Sequence, residues 1–273
     1  MRSGDAVGRS RLQLTASAPS LLMAAAPGGV CVVRWNGVWK PLGAMALADE
    51  LTAAMAAIHA RGWCDGTGGN FSCVQQKAPL QLLMAPSGVD KGQVQPGDLI
   101  VVDATGRVIA GEGKASAETA LHLEIVNRCA AGAVLHTHSQ AATLLSRWAL
   151  AGPDRTEAAN GPDQGDGVVR VEGLEMLKGL EGIRTHASAI AIPVLANDQD
   201  LARLSERARP LLAGAPQGLL IAGHGLYAWG QTLSQARRHL EILEFLLEQS
   251  WRQRLLEALI NRSTPVTHPA ARA

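Results

Sequence analysis

Aromatic side chains are nearly missing from this chain of 273 residues, which has Trp 6, Tyr 1 and Phe 2, or 3% in all. Its core must therefore be built from Ala, Leu, Val and Ile. The four cysteines (Cys31, Cys64, Cys73, Cys129) form no CxxC pair and no close metal-ligand spacing. That argues against a disulfide frame and for reduced thiols in a cytoplasmic protein. An excess of one charge is missing too, since Lys plus Arg number 25 and Asp plus Glu 24, a net of +1. Without a basic excess there is little counterion release to gain, so nucleic acid is not expected as a partner. No apolar run reaches the roughly 18 residues of a membrane span, so no membrane partner is expected either. No internal repeat is present, and no linker divides residues 45–262. What remains is a chain 47% hydrophobic and 18% charged, which should fold over most of its length as one large domain or two small ones.

The first 44 residues differ from the rest, being rich in Ser, Ala, Gly and Pro and poor in periodicity. Arg2, Arg9 and Arg11 precede an apolar run from Leu21 to Ala26, the outline of a signal peptide. Pro19, Pro27 and Gly28-Gly29 interrupt that run, so export is not expected. This stretch reads as a disordered extension, or as a start assigned too early, with Met45 opening the first convincing element. From there Leu47, Leu51, Met55 and Ile58 line one face of a helix ended by Gly62. Strands are expected over Leu80–Ala85, Leu99–Val102, Val108–Ala110, Ala133–His136, Ile190–Leu195 and Leu219–Ala222. A hairpin turns at Asp103–Gly106. Ser116 is placed as the N-cap of a helix running to about Ala131. Residues 152–170 read as a loop or insertion, and Glu172–Leu180 as a short helix. Further helices follow over Asp198–Leu212 and from about Thr232 onward. The latter carries a stripe of Leu240, Leu243, Leu247, Trp251, Leu255 and Leu259, and the tail from 263 is expected to be loose. Uneven alternation with at least one hairpin predicts a mixed α/β sandwich rather than a parallel doubly wound sheet.

Four features could carry chemistry. His136 and His138 lie two apart at the end of an apolar strand, so both rings point to one side and can share a metal. His224 ends a second apolar strand between two glycines. A third histidine there would complete a site that keeps a position open for water or substrate. Glu118 lies at a helix start, where the helix dipole alone is reason enough for a carboxylate. It is also a candidate acid/base beside His136, as is Glu175 on its short helix. Lastly, the loops Gly66–Ser72 and Pro86–Gly88 can aim backbone N–H groups at a phosphate, with Lys114 adding charge beside Ser116 and a helix N-terminus. A metal, a carboxylate and a phosphate cradle together suit a phosphorylated hydroxyketone.

The segments GTGGNFS (from Gly66), APSGV (from Ala85), KASAETALH (from Lys114), GAVLHTHS (from Gly132) and the Gly223-His224-Gly225 turn, in this order, resemble the class II aldolase and adducin-head family. The likeness runs from Met45 to Leu259. EMLKG from Glu175 and HGLYAWG from His224 are most similar to its branch that dehydrates 5-methylthioribulose 1-phosphate in methionine salvage. The resemblance implies a single three-layer α/β/α domain around a mixed, largely antiparallel sheet, over residues 45–262. It implies one zinc on His136, His138 and His224, and phosphate contacts at Gly69, Asn70, Ser87, Gly88 and Ser116. The acid/base would match Glu175 in the dehydratase branch and Glu118 in the aldolases. Ala117 stands where aldolases carry a second phosphate-binding Ser. A homotetramer with sites near subunit interfaces is implied as well. Two other expectations stand beside dehydration: aldol cleavage or epimerisation of another sugar phosphate, and a non-catalytic interaction module like the adducin head.

Overall fold

The structure, a computed structural model, describes residues 22–25, 31–35, 38–151 and 166–263. The chain divides into two units, Met1–Gly43 and Ala44–Ala273. In the first, β1 (Leu22–Ala25), β2 (Cys31–Trp35) and β3 (Val38–Pro41) form an antiparallel sheet in that order. These segments lie within the stretch read as a disordered or mis-assigned extension. The arginines of the signal-like outline lie outside the described residues.

The second unit contains nearly all of α1 (Leu42–His59), then β4 (Asn70–Lys77), β5 (Leu80–Met84), β6 (Ile100–Asp103), β7 (Val108–Ala110) and α2 (Thr119–Cys129). It continues with β8 (Ala133–Thr137), α3 (Gln140–Ala151), β9 (Gly167–Glu172), β10 (Ala189–Leu195), α4 (Leu201–Leu212), β11 (Gly218–Ile221), β12 (Gly225–Gly230) and α5 (Leu233–Ser263). Among the described residues nine strands make one sheet in the order β7-β6-β5-β4-β8-β12-β11-β10-β9. Only β10 and β11 pair in parallel, and the other neighbours are antiparallel. Alternate residues of the central strands feed two cores. Leu135, Phe71 and Leu226 pack with α1, α3 and α5, while Val134, Leu219 and Ile221 pack with α2 and α4. This is the expected three-layer α/β/α architecture, and its buried side chains are mostly Leu, Ala, Val and Ile. Among the described residues no helix is long and apolar enough to cross a membrane.

Several elements differ from the sequence reading, each for a physical reason. β4 occupies a stretch whose sequence predicts only a loop as far as Ser72. Its first four residues are all buried and its end is exposed, so it shows no period-2 alternation. Helix α2 starts at Thr119, and Ser116 is not its N-cap. Ser116 Oγ instead accepts from the Glu118 N–H at 3.2 Å, and its carbonyl accepts from the Thr119 N–H, bracing the turn before the helix. Residues 167–170, read as loop, belong to β9, while 152–165 lie outside the described residues. The short helix shrinks to a 3-10 turn over Glu175–Gly179. The apolar stripe of α5 is core only at first. Leu240, Leu243 and Leu247 are fully buried, whereas Leu255 and Leu259 are 45% and 63% exposed. Thirty-one residues of helix span roughly 46 Å, about twice the longest strands beneath them, so its C-terminal half overruns the sheet. Of the tail expected from 263, Ser263 is the last residue of α5 and 264–273 lie outside the described residues.

Candidate metal centre

The site forms where three neighbouring strands meet one helix start. In the sheet β8 lies between β4 and β12, and the register sets Asn70 opposite His136 and His136 opposite Tyr227. These three side chains share the face covered by α2. The Tyr227 ring stacks on His136 with centroids 3.9 Å apart and planes within 11°. His136 Nδ1 lies 3.0 Å from the Leu226 carbonyl. A carbonyl can only accept, so Nδ1 carries the proton and Nε2 turns a lone pair into the site. His138 follows just past the strand end, and His224 sits in the turn between β11 and β12.

Their Nε2 atoms converge. His136 is 2.9 Å from His138 and 3.4 Å from His224. Glu118 Oε1 stands 2.8 Å from His224 Nε2 and 3.6 Å from His136 Nε2. One ligand atom from each of the four residues lies within 4.8 Å of every other. A tetrahedral ion with nitrogen bonds of ~2.05 Å holds its nitrogens ~3.3 Å apart. The spacing fits that requirement, and imidazole lone pairs facing one another this closely call for a cation between them. Burial, then the neighbouring His136 and His224, push His138 down to about 3. It is therefore neutral at ordinary pH, as a ligand must be. For Glu118 burial acts upward, but its contacts with His136 and His224 and the hydrogen bond from Asn70 prevail and hold it far below the usual carboxylate range.

Beside the histidines is a pocket of about 480 Å³ lined by Thr67–Asn70, Ser87, Gly88, Lys91, Ser116–Glu118, His138, Asn197–Gln199, Leu201, Gly223 and His224. Gly69 has φ +77° and a Cβ there would come within 2.7 Å of the His136 carbonyl, so no other residue fits this close approach. Asn70 Nδ2 donates to Glu118 Oε2 at 2.8 Å and to Ser116 Oγ at 2.5 Å, tying cradle to carboxylate.

The structure thus gathers Gly69, Asn70, Ser87, Gly88, Ser116, Glu118, His136, His138 and His224 in one place. It does not gather Lys114 or Glu175. The Lys114 side chain is exposed and outside the pocket lining, and what serves the cradle is its carbonyl, which accepts from the Ser87 N–H at 2.8 Å. Glu175 is exposed, pairs with Lys178 at 2.5 Å and His186 at 3.8 Å, and is absent from the pocket wall. Three features escaped the sequence reading. Lys91 is buried in the pocket wall, Tyr227 stacks behind His136, and Asn197–Gln199 closes one side. The last had a readable signal. Two apolar strands, β10 and β11, each end in a polar turn, and a parallel pair would set those turns side by side.

Residues 49–251 match the family described as Class II Aldolase and Adducin N-terminal domain. The methylthioribulose-1-phosphate dehydratase of Pectobacterium carotovorum subsp. carotovorum (strain PC1) is 44% identical over 217 residues, 77% of this chain and 97% of that protein. The dehydratase of the same name from Serratia proteamaculans (strain 568) is 40% identical over 216 residues, 77% and 98% of the two chains. In fold the chain is similar to the L-fuculose-1-phosphate aldolase of Thermus thermophilus, with a TM-score of 0.59, 24% identity, and 79% and 98% of the two chains covered. The chain belongs to the class II aldolase and adducin N-terminal domain family.

Proposed function

We propose that this chain removes water from 5-methylthioribulose 1-phosphate to give 2,3-diketo-5-methylthiopentyl 1-phosphate, the reaction of its dehydratase relatives. The observation that carries the reading is the convergence of Glu118, His136, His138 and His224 beside a pocket walled by glycine and serine turns. We assign His136, His138 and His224 as ligands of zinc. Bound there, zinc would draw charge from the substrate oxygens on C2 and C3 and so acidify the C3–H bond. Gly69, Asn70, Ser87, Gly88 and Ser116 would grip the phosphate and fix the carbon chain over the histidines. A carboxylate takes the C3 proton, the C4 hydroxyl accepts a proton from an acid and leaves as water, and the resulting enol tautomerises to the diketone.

Two carboxylates compete for that proton. Within one chain the pocket contains Glu118, already ionised by its histidine and asparagine partners. Glu175 is exposed on its turn and would act only in the pocket of a neighbouring subunit, which the tetramer expected from the family would supply. Mixing E118Q with E175Q subunits separates the two. Restored turnover means that Glu175 works across an interface, and full activity of E175Q alone removes it from the chemistry. We place the reaction in the cytoplasm.

The deciding experiment incubates zinc-loaded protein with 5-methylthioribulose 1-phosphate and identifies products by NMR and mass spectrometry. A 2,3-diketone lighter by one water is expected. Dihydroxyacetone phosphate with methylthioacetaldehyde would make the chain an aldolase. Metal-free, inactive protein would point to an interaction module.

A further inference from the structure

Lys91 is among the largest fully buried side chains, 1% exposed, yet it forms part of the pocket wall. Its ammonium donates to the Thr67 carbonyl at 3.1 Å and the Val89 carbonyl at 2.9 Å. An ammonium has three donors, and these two bonds leave one over. Among the described residues no carboxylate comes close enough to form an ion pair with it. Burial pulls its pKa down, with Cys64, Glu118 and Asp90 acting the other way. A buried charge held only by neutral carbonyls is incompletely compensated, and an anion would complete it. The two carbonyls belong to the segments that carry the cradle, Thr67 just before Gly68–Asn70 and Val89 just after Ser87–Gly88. Among the described residues no other Lys or Arg lines the pocket.

We propose that Lys91 supplies the positive charge of the anion subsite, bridging the two glycine turns and directing its third N–H at the phosphate monoester of the substrate. This rests on reading the site as one for a sugar phosphate. Lys91 would then select phosphorylated substrates, the task that the sequence reading gives to Lys114.

The test uses zinc-loaded wild-type protein and K91M, with K91Q as a second variant should Met impair folding. Inorganic phosphate is titrated calorimetrically, KM and kcat are measured, and the cobalt(II)-substituted centre is followed by its absorption spectrum. Loss of one charge-assisted hydrogen bond should weaken phosphate binding about tenfold or more. KM should rise in step, kcat should change little, and the cobalt spectrum should stay as in the wild type. The alternative is a prop. A Cβ on Gly68 would stand 2.8 Å from His138 Nδ1, so a turn that shifted without Lys91 would disturb the metal centre. A changed cobalt spectrum in both variants, or undiminished phosphate binding, would overturn the proposal. If wild-type protein binds phosphate through Lys91 but does not turn over methylthioribulose 1-phosphate, the subsite stands and the dehydratase reading falls.

Discussion

Glu244 offers the sharpest test of the packing behind β8. Thr137 lies between the two histidines, and the strand period turns its side chain to the opposite face of the sheet. There its hydroxyl meets Glu244 of α5 at 2.5 Å. Glu244 is 2% exposed. Burial raises its carboxyl to about 7, against hydrogen bonds from Ser139 and Thr137 that act downward, and Glu248 pushes it further up. At pH 6 the folded protein therefore keeps this proton while the unfolded chain has lost it. The unfolded state binds fewer protons, so stability falls as pH rises from about 4.5 to about 7 and levels off above. A shift of this size corresponds to about 3 kcal/mol at 1.36 kcal/mol per unit. E244Q cannot ionise. Its stability minus that of the wild type should climb by about 3 kcal/mol between pH 4.5 and pH 8. Urea unfolding of both proteins, followed by tryptophan fluorescence in EDTA, measures that difference with other titrations cancelled. A difference that stays flat with pH, or that falls, would refute a neutral Glu244 in the folded state.

Other perturbations probe the site from its own side. The double variant H136A/H138A should lose the bound divalent metal by elemental analysis and all measurable turnover, and retention of both would sink the proposed ligand assignment. G68A places its Cβ 2.8 Å from His138 Nδ1, and overpacking of this kind costs roughly 1–3 kcal/mol. Weaker metal binding in a chelator competition, together with a lower Tm, is the expected outcome. Ser72 Oγ meets the fully buried His122 Nδ1 at 2.8 Å, and S72A leaves that nitrogen unpaired. Equilibrium unfolding should show a loss of about 1–3 kcal/mol, and an unchanged midpoint would show that water reaches His122.

The three clustered histidines were legible because each signal is local. His136 and His138 share a side through the strand period, and His224 ends an apolar strand between glycines. Nothing local distinguished Lys91 from Lys114. Lys91 stands three positions after Gly88 and Lys114 one after Gly113, and only the folded loops show that one turns inward to two carbonyls while the other lends its backbone. Glu118 and Glu175 posed the same difficulty. Each is an acidic residue at the start of a helical segment, where the dipole favours it anyway. What separates them is strand order. Placing β8 between β4 and β12 brings Asn70, His136 and Tyr227 into one row, and α2 begins over that row, so Glu118 is carried to the histidines. The turn holding Glu175 follows β9, at the far edge of the sheet. Strand order is set by which apolar faces bury best against which helices, a property of the whole core. Motifs alone therefore reveal the chemical parts of this site, while the sheet decides which carboxylate and which lysine a single chain brings to it.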